Sequence, residues 1–420
     1  MNISDLDSHA KAAEESAKSG KKPFVPTKFS LLTILMASLL MLMGGAAVAP
    51  ALPQMTAAFP QYSETMVNLV ITLPSLAIAI FGFAVGMAAD RFGKVKVLCL
   101  SLLIFALAGF SGYFLNDLLL ILVFRFILGI GIAGITCCCT ALISEYYYGA
   151  MRVKALGYQS AAIGLGVLVL ESSGGVLAEY GWHEPFLIYE IGFLILALAL
   201  ISLREPTPRT FNLTGTAVTK PSRPANQKLV VFGYVTIFVM TLTMFVIPTK
   251  LTGYMNEYLN LTSSVAGVML GFNGVFNAVA CLLYRRISLS LSQSQIMFSG
   301  FLLMTAGFFL FLAPASLLQV MISSVIIGFG VGMITTGVIH LISENVSGQN
   351  SGRLMGGYAV FLNLGQFAST FLLAALLSTV GELKNLFPAV GVIDLLFAAV
   401  FLVLWKVAHR GPAVSAQTGL

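Results

Sequence analysis

Four ionisable side chains stand inside long apolar runs: Arg125, Glu171, Glu190 and Asp394. A charge in hydrocarbon costs several kcal/mol, so each needs a partner or a task. An arginine keeps its proton, whereas a carboxyl can take one up and become neutral. Arg125 lies eight residues beyond Asp117, and Glu171 eight before Glu179. If those acids mark helix ends, a rise of about 1.5 Å per residue puts both charges about 12 Å deep. They are therefore expected level on neighbouring helices, with Glu171 as the proton-exchanging member. A static ion pair is the alternative. Glu190 lies six residues inside Glu184, and Asp394 ten inside Lys384. All four are candidates for proton coupling or solute binding.

Uncharged polar residues form a second set. Asn273 and Asn277 are four apart and Asn363 and Gln366 three apart, which puts each pair on one helix face. They can line a cavity or tie helices together by hydrogen bonds. The five cysteines have no metal-ligand spacing and read as small packing residues. The sequence has no phosphate-cradling loop, metal-ligand cluster or nucleophile arrangement. It is not expected to be an enzyme, and no cofactor or metal is expected. Energy would come from a gradient or from the solute itself.

The elements that must hold these residues follow from composition. Apolar types make up 58% and charged types 10% of the 420 residues, with a mean hydropathy of +0.92. A soluble domain carries about 25% charge, so this is a polytopic membrane protein. A bilayer core needs about 20 apolar residues per helix. Spans are expected at about 30–51, 64–88, 96–115, 118–143, 155–178 and 185–203. After a polar, proline-rich stretch they resume at about 229–250, 263–284, 295–313, 317–343, 353–380 and 385–406. The expected organisation is a tail (1–28), a six-helix bundle (29–203), a linker (204–228), a second bundle (229–406) and a short tail (407–420).

An even number of spans puts both ends on one side. Of 23 Lys and Arg, 20 fall on that side; only Lys250 and Lys384 fall on the other. The positive-inside rule makes the first side cytoplasmic. The excess of basic residues is thus topology, not a nucleic-acid surface. The expected location is the plasma membrane, or the inner membrane of a Gram-negative cell.

The chain also repeats itself. Leu128 to Thr136 reads LGIGIAGIT, and Ile327 to Thr335 reads IGFGVGMIT, 199 residues later. Val48-Ala49-Pro50 returns as Val246-Ile247-Pro248, 198 later. Halves of six spans have the same orientation, the arrangement of transporters whose site lies between two rocking bundles.

Three segments carry a family resemblance. Gly86 to Lys96, with Asp90, Arg91, Gly93 and Lys94, resembles the signature cytoplasmic loop of the major facilitator superfamily. In that family the loop locks one conformation, so Gly86, Asp90, Arg91, Gly93 and Lys94 are implied to form a gate. Gly44 followed by Pro50-Ala51-Leu52-Pro53, and Ile121, Arg125, Gly129, Gly131 and Ala133, resemble the twelve-helix drug–proton antiporter group. Span five departs from that group: Leu170-Glu171 stand where Gly-Pro is usual. The resemblance implies an all-α fold of two six-helix bundles that exports a small organic solute against protons, as a functional monomer in the lipid bilayer. In that fold the helices of Glu190 and Asp394 support the cavity, which implies structural roles for the two acids. Proton-linked uptake, facilitated diffusion, a channel or a non-transporting sensor are the alternatives.

Overall fold

A computed structural model describes residues 26–147, 149–206, 227–345 and 351–409. The linker and both tails therefore lie almost wholly outside the described residues. Among those described the secondary structure is entirely helical. Eleven helices are long and apolar enough to cross a bilayer, from Glu64–Phe92 to Leu383–Leu404. The first span makes the twelfth, and it is not one helix. An α-helix over Lys28–Leu39 passes through a 3₁₀ turn at Leu40–Leu42 and irregular turns at 43–48. It resumes as the 3₁₀ turn Ala49–Ala51 and the helix Leu52–Ala58. Hydropathy predicts one span over 30–51; Gly44-Gly45, Pro50 and Pro53 break it, because glycine weakens a helix and proline supplies no N–H.

The remaining spans are Glu64–Phe92, Lys94–Phe110, Leu118–Tyr146, Gly149–Ala178 and Ile191–Ser202 in the first half. The second half has Gln227–Met244 continued by Val246–Leu259, then Ser263–Ser290, Gln293–Phe309, Leu317–Glu344, Ser351–Val380 and Leu383–His409. Span seven thus runs nine residues past the expected end at 250. Lys250, expected to sit outside, lies within it and is buried.

Chains in lipid gain little from hiding apolar surface between helices, so close packing of small residues takes over. The repeat shows this. Gly129 of span four is pressed on Pro74 of span two, where a Cβ would come within 2.3 Å of the Pro74 carbonyl oxygen. Its equivalent, Gly328 of span ten, would meet the Asn273 carbonyl oxygen of span eight at the same 2.3 Å. Asp117 caps span four and Ser316 caps span ten, again 199 apart. The major-facilitator-type fold, two bundles of six related by a parallel repeat, is what the helices form.

The halves meet along two seams. Span five lies on span eight from Gly175 against Ser263 to Gly164 against Ala278. Span two meets span eleven through Thr72 and Thr370 hydroxyls 2.6 Å apart and a Ser75 hydroxyl donating to Gln366 Oε1 at 2.7 Å. These contacts lie toward the end away from the termini. Toward the other end, Gly157 of span five and Gly82 of span two have open space where a Cβ would be, and Tyr158 is exposed. The molecule is sealed at one end and parted at the end that bears the termini.

Candidate functional site

Arg125 is fully buried in the first half. Its three donor nitrogens go to spans one and two and to the 3₁₀ segment Glu184–Glu190 that leads into span six. Nε donates to the Val70 carbonyl at 2.7 Å, Nη1 to the Tyr189 hydroxyl at 2.7 Å, and Nη2 to the Gly44 carbonyl. Tyr189 in turn donates to the Met43 carbonyl at 2.9 Å. The local sequence explains the pattern. Pro74 has no N–H, so the carbonyl four residues back, Val70, loses its helical donor. The broken first span likewise leaves carbonyls around Gly44 without partners. Backbone groups in a membrane must be satisfied, and side chains of neighbouring helices do so at such breaks. A planar guanidinium with fixed, divergent donors can serve three carbonyl and hydroxyl acceptors at once.

The expected Arg125–Glu171 pair is therefore not made in this conformation. Arg125 has no carboxylate within 4.0 Å among the described residues. Its head turns to spans one, two and six, because the freed carbonyls are there. Glu171 sits instead on the seam between the halves, 7% exposed. Gly267 of span eight packs on its backbone, where a Cβ would be 2.3 Å from the Glu171 carbonyl oxygen. Three residues on, Gly174 packs on Ala47 of the broken first span. The Glu171 Oε2 has no hydrogen-bond partner among the described residues.

The other candidates separate. Asp394 is completely buried, with neither oxygen in good hydrogen-bond geometry and the Thr243 hydroxyl beside it. Glu190 is exposed at the end of the 3₁₀ segment Glu184–Glu190, so it does not join a buried site. Its neighbour Tyr189, not singled out in the sequence, carries the contact to Arg125. Asn273 donates to the Ser324 carbonyl at 3.3 Å, and the Asn277 Oδ1 lies 3.5 Å from the Cys281 thiol. Asn363 donates to the Ala359 carbonyl of its own helix at 2.8 Å. Gln366 is the one of these four that bridges the halves.

At the parted end the signature loop forms a compact network. Lys94 Nζ lies 2.7 Å from Glu145 Oε1 and 3.3 Å from Asp90 Oδ1. The Asp90 side chain is 77% exposed, so Lys94 is the hub and Asp90 an outer member. Arg91 is exposed and lies over the Phe92 ring. Gly86 packs beside the Cys137 sulfur. Gly93 turns at φ +104°, and a Cβ there would meet the Glu205 carboxylate at 2.5 Å. That carboxylate, on a residue expected in the linker, accepts the Lys94 and Lys96 amides at 2.9 and 3.0 Å. It occupies the positive N-terminus of span three.

At the sealed end Lys250 pairs with Glu64 across the halves. Nearby, hydroxyls of Ser264 and Thr262 hold the Glu179 carboxyl below the ordinary carboxylate range. The sequence signal for Lys250 was a lysine two residues after the repeated proline, where the first half has Leu52.

The Major Facilitator Superfamily model matches residues 34–288 and 232–419. The quinolone resistance protein NorA of Staphylococcus aureus (strain MSSA476) is 22% identical over 342 residues, 80% of this chain and 86% of the relative. Multidrug resistance protein 1 of Bacillus subtilis (strain 168) is 24% identical over 340 residues, with the same coverage of 80% and 86%. A crystal structure of a bacterial homologue of the human lysosomal transporter Spinster, inward-facing and occupied, superposes with a TM-score of 0.70 at 16% identity, covering 90% of this chain and 96% of that one. The D-xylose–proton symporter superposes with a TM-score of 0.71 at 18% identity, covering 89% and 96%.

Proposed function

The chain belongs to the Major Facilitator Superfamily and is a multi-pass membrane transporter; we propose that it exports a small organic solute in exchange for protons. Alternating access between two rocking halves carries the solute. The observation that supports coupling is Glu171. The backbone of this residue lies on the seam that must part when access changes, its side chain is buried, and one carboxyl oxygen has no partner among the described residues. Parting the seam gives the group water and a route for a proton; closing it strips the water away. A carboxylate without a cation is costly in that closed seam, and a neutral acid is not. Proton load and conformation are thereby linked. The names of the two bacterial relatives, quinolone and multidrug resistance proteins, support export as the direction. Asp394 is the second candidate for carrying a proton.

Arg125 takes a different part in this scheme from the one its sequence suggests. It fixes the break in span one against spans two and six, so the broken segment beside Glu171 moves with the first half. In the signature loop Gly93, Lys94, Asp90, Arg91 and Gly86 serve as the gate at the parted end, with Glu205 and Glu145 as its anchors.

Leu170-Glu171 in place of Gly-Pro favours one other reading, proton-linked uptake. Ethidium flux in proteoliposomes with an imposed pH gradient separates the two by sign. Glu171→Gln, which mimics the protonated acid, is expected to keep ethidium exchange and to lose acceleration by the gradient. Full gradient-driven flux in that variant would move the coupling site elsewhere.

A further inference from the structure

The ion pair at the sealed end has no part in the scheme above. Lys250 of span seven reaches Glu64 at the start of span two and so ties the halves together. The lysine side chain is 4% exposed, and the glutamate 47%. When the halves part at this end, Glu64 leaves with the first half. The ammonium then exchanges its ion pair for water unless another carboxylate takes the place of Glu64. A cleft of about 620 Å³ at this end is lined by Glu64 and Asn68 of the first half and, on the second half, by Lys250 and two more acids, Glu257 and Glu382. Glu257 lies seven residues after Lys250, two helical turns along the same face. Lys250 thus has acids of its own half within the cleft that Glu64 vacates.

We propose that Lys250 is a two-position gate residue, bound by Glu64 while this end is sealed and by Glu257 and Glu382 once it opens. The exchange keeps the ammonium paired in both states. Opening then depends on the difference between two pairings and not on the loss of one, which makes the gate bistable. Lys250 is a positioning residue, and its role holds whichever way the solute moves and whatever carries the proton.

The test reads exposure of the cleft in the full-length protein. Asn68→Cys, at a residue 5% exposed in the sealed state, is labelled with a membrane-impermeant maleimide applied from the side away from the termini. The protein with Asn68 intact gives the background of the native cysteines. Glu64→Gln should raise the labelling rate about tenfold, because the sealed state alone loses its pair, whereas Lys250→Met takes the pair from both states and should change the rate less. The charge exchange Glu64→Lys with Lys250→Glu should bring the rate back to the parent value or below, because the sealed pair is restored while the exchanged carboxylate has only acids to meet in the open state. Glu257→Gln with Glu382→Gln should lower the rate by a similar factor, because the open state loses its pair. This last variant leaves the sealed-state pair intact, so it remains informative if the charge exchange fails to fold. An unchanged rate with Glu64→Gln overturns the lock. An unchanged or faster rate with both second-half acids neutralised overturns the exchange of partners.

Discussion

Arg125 and Pro74 form one unit at the residue scale. The proline frees a carbonyl and the arginine takes it up, while the other guanidinium nitrogens close the break in span one. Arg125→Lys keeps the charge but not the three divergent donors, and should lower thermal stability in detergent by about 3 kcal/mol. Pro74→Ala restores an N–H to the Val70 carbonyl. In that background Arg125→Lys should cost less, with a coupling of roughly 1 kcal/mol. Additive effects in the double-mutant cycle would mean that the arginine does not act for the missing N–H. The sequence made Arg125 conspicuous but pointed it at the wrong partner. Depth counting ranks charges by level, and says nothing of which backbone carbonyls have lost their donors. The repeat held the missing clue. At an offset of 199, Pro74 corresponds to Asn273 and Arg125 to Ser324. In the second half the same two positions meet through an ordinary hydrogen bond from Asn273 to the Ser324 carbonyl.

Helices five and eight define the element scale, because their closeness seals the seam. Gly267 places the span eight backbone against the Glu171 carbonyl, and Gly271 and Gly274 continue the approach to Leu168 and Val167. Gly267→Ala would put a methyl 2.3 Å from that carbonyl oxygen, so the helices must separate. Overpacking of this kind costs about 1–3 kcal/mol. Since it acts on the sealed state alone, ethidium flux should fall about tenfold while expression holds. Gly356→Ala is the control. It has open space around it, and alanine is the better helix former by about 1 kcal/mol. Equal effects of the two would mean that close approach is not what glycine provides. At this scale the spans were plain in the sequence, because runs of about 20 apolar residues have few alternatives. Two features were not. The break in span one keeps its apolar residues, so hydropathy runs straight through it. Span seven continues past Lys250, and the lysine is buried within it against Glu64, a partner far away in sequence.

For the whole molecule, sidedness joins the fold to the cycle. The helices show one end sealed and the other parted, and the parted end bears the termini. Lys and Arg divide 20 to 2 in favour of that end. Membrane insertion keeps such loops in the cytoplasm. The positive-inside rule therefore predicts that the conformation described here opens to the cytoplasm, the side from which an exporter would load. Tyr158→Cys tests both statements together, since Tyr158 lies on span five beyond the last seam contact and is exposed. An impermeant maleimide should label the introduced thiol in inside-out vesicles and not in intact cells. In the same preparations an epitope at the N-terminus should be reachable only in the vesicles. Labelling of both sites from outside intact cells would reverse the topology, and with it the direction of loading. Labelling of the introduced thiol from outside with the epitope still protected would show that the sealed end opens at rest. The Glu64–Lys250 pair would then be too weak to hold the halves together.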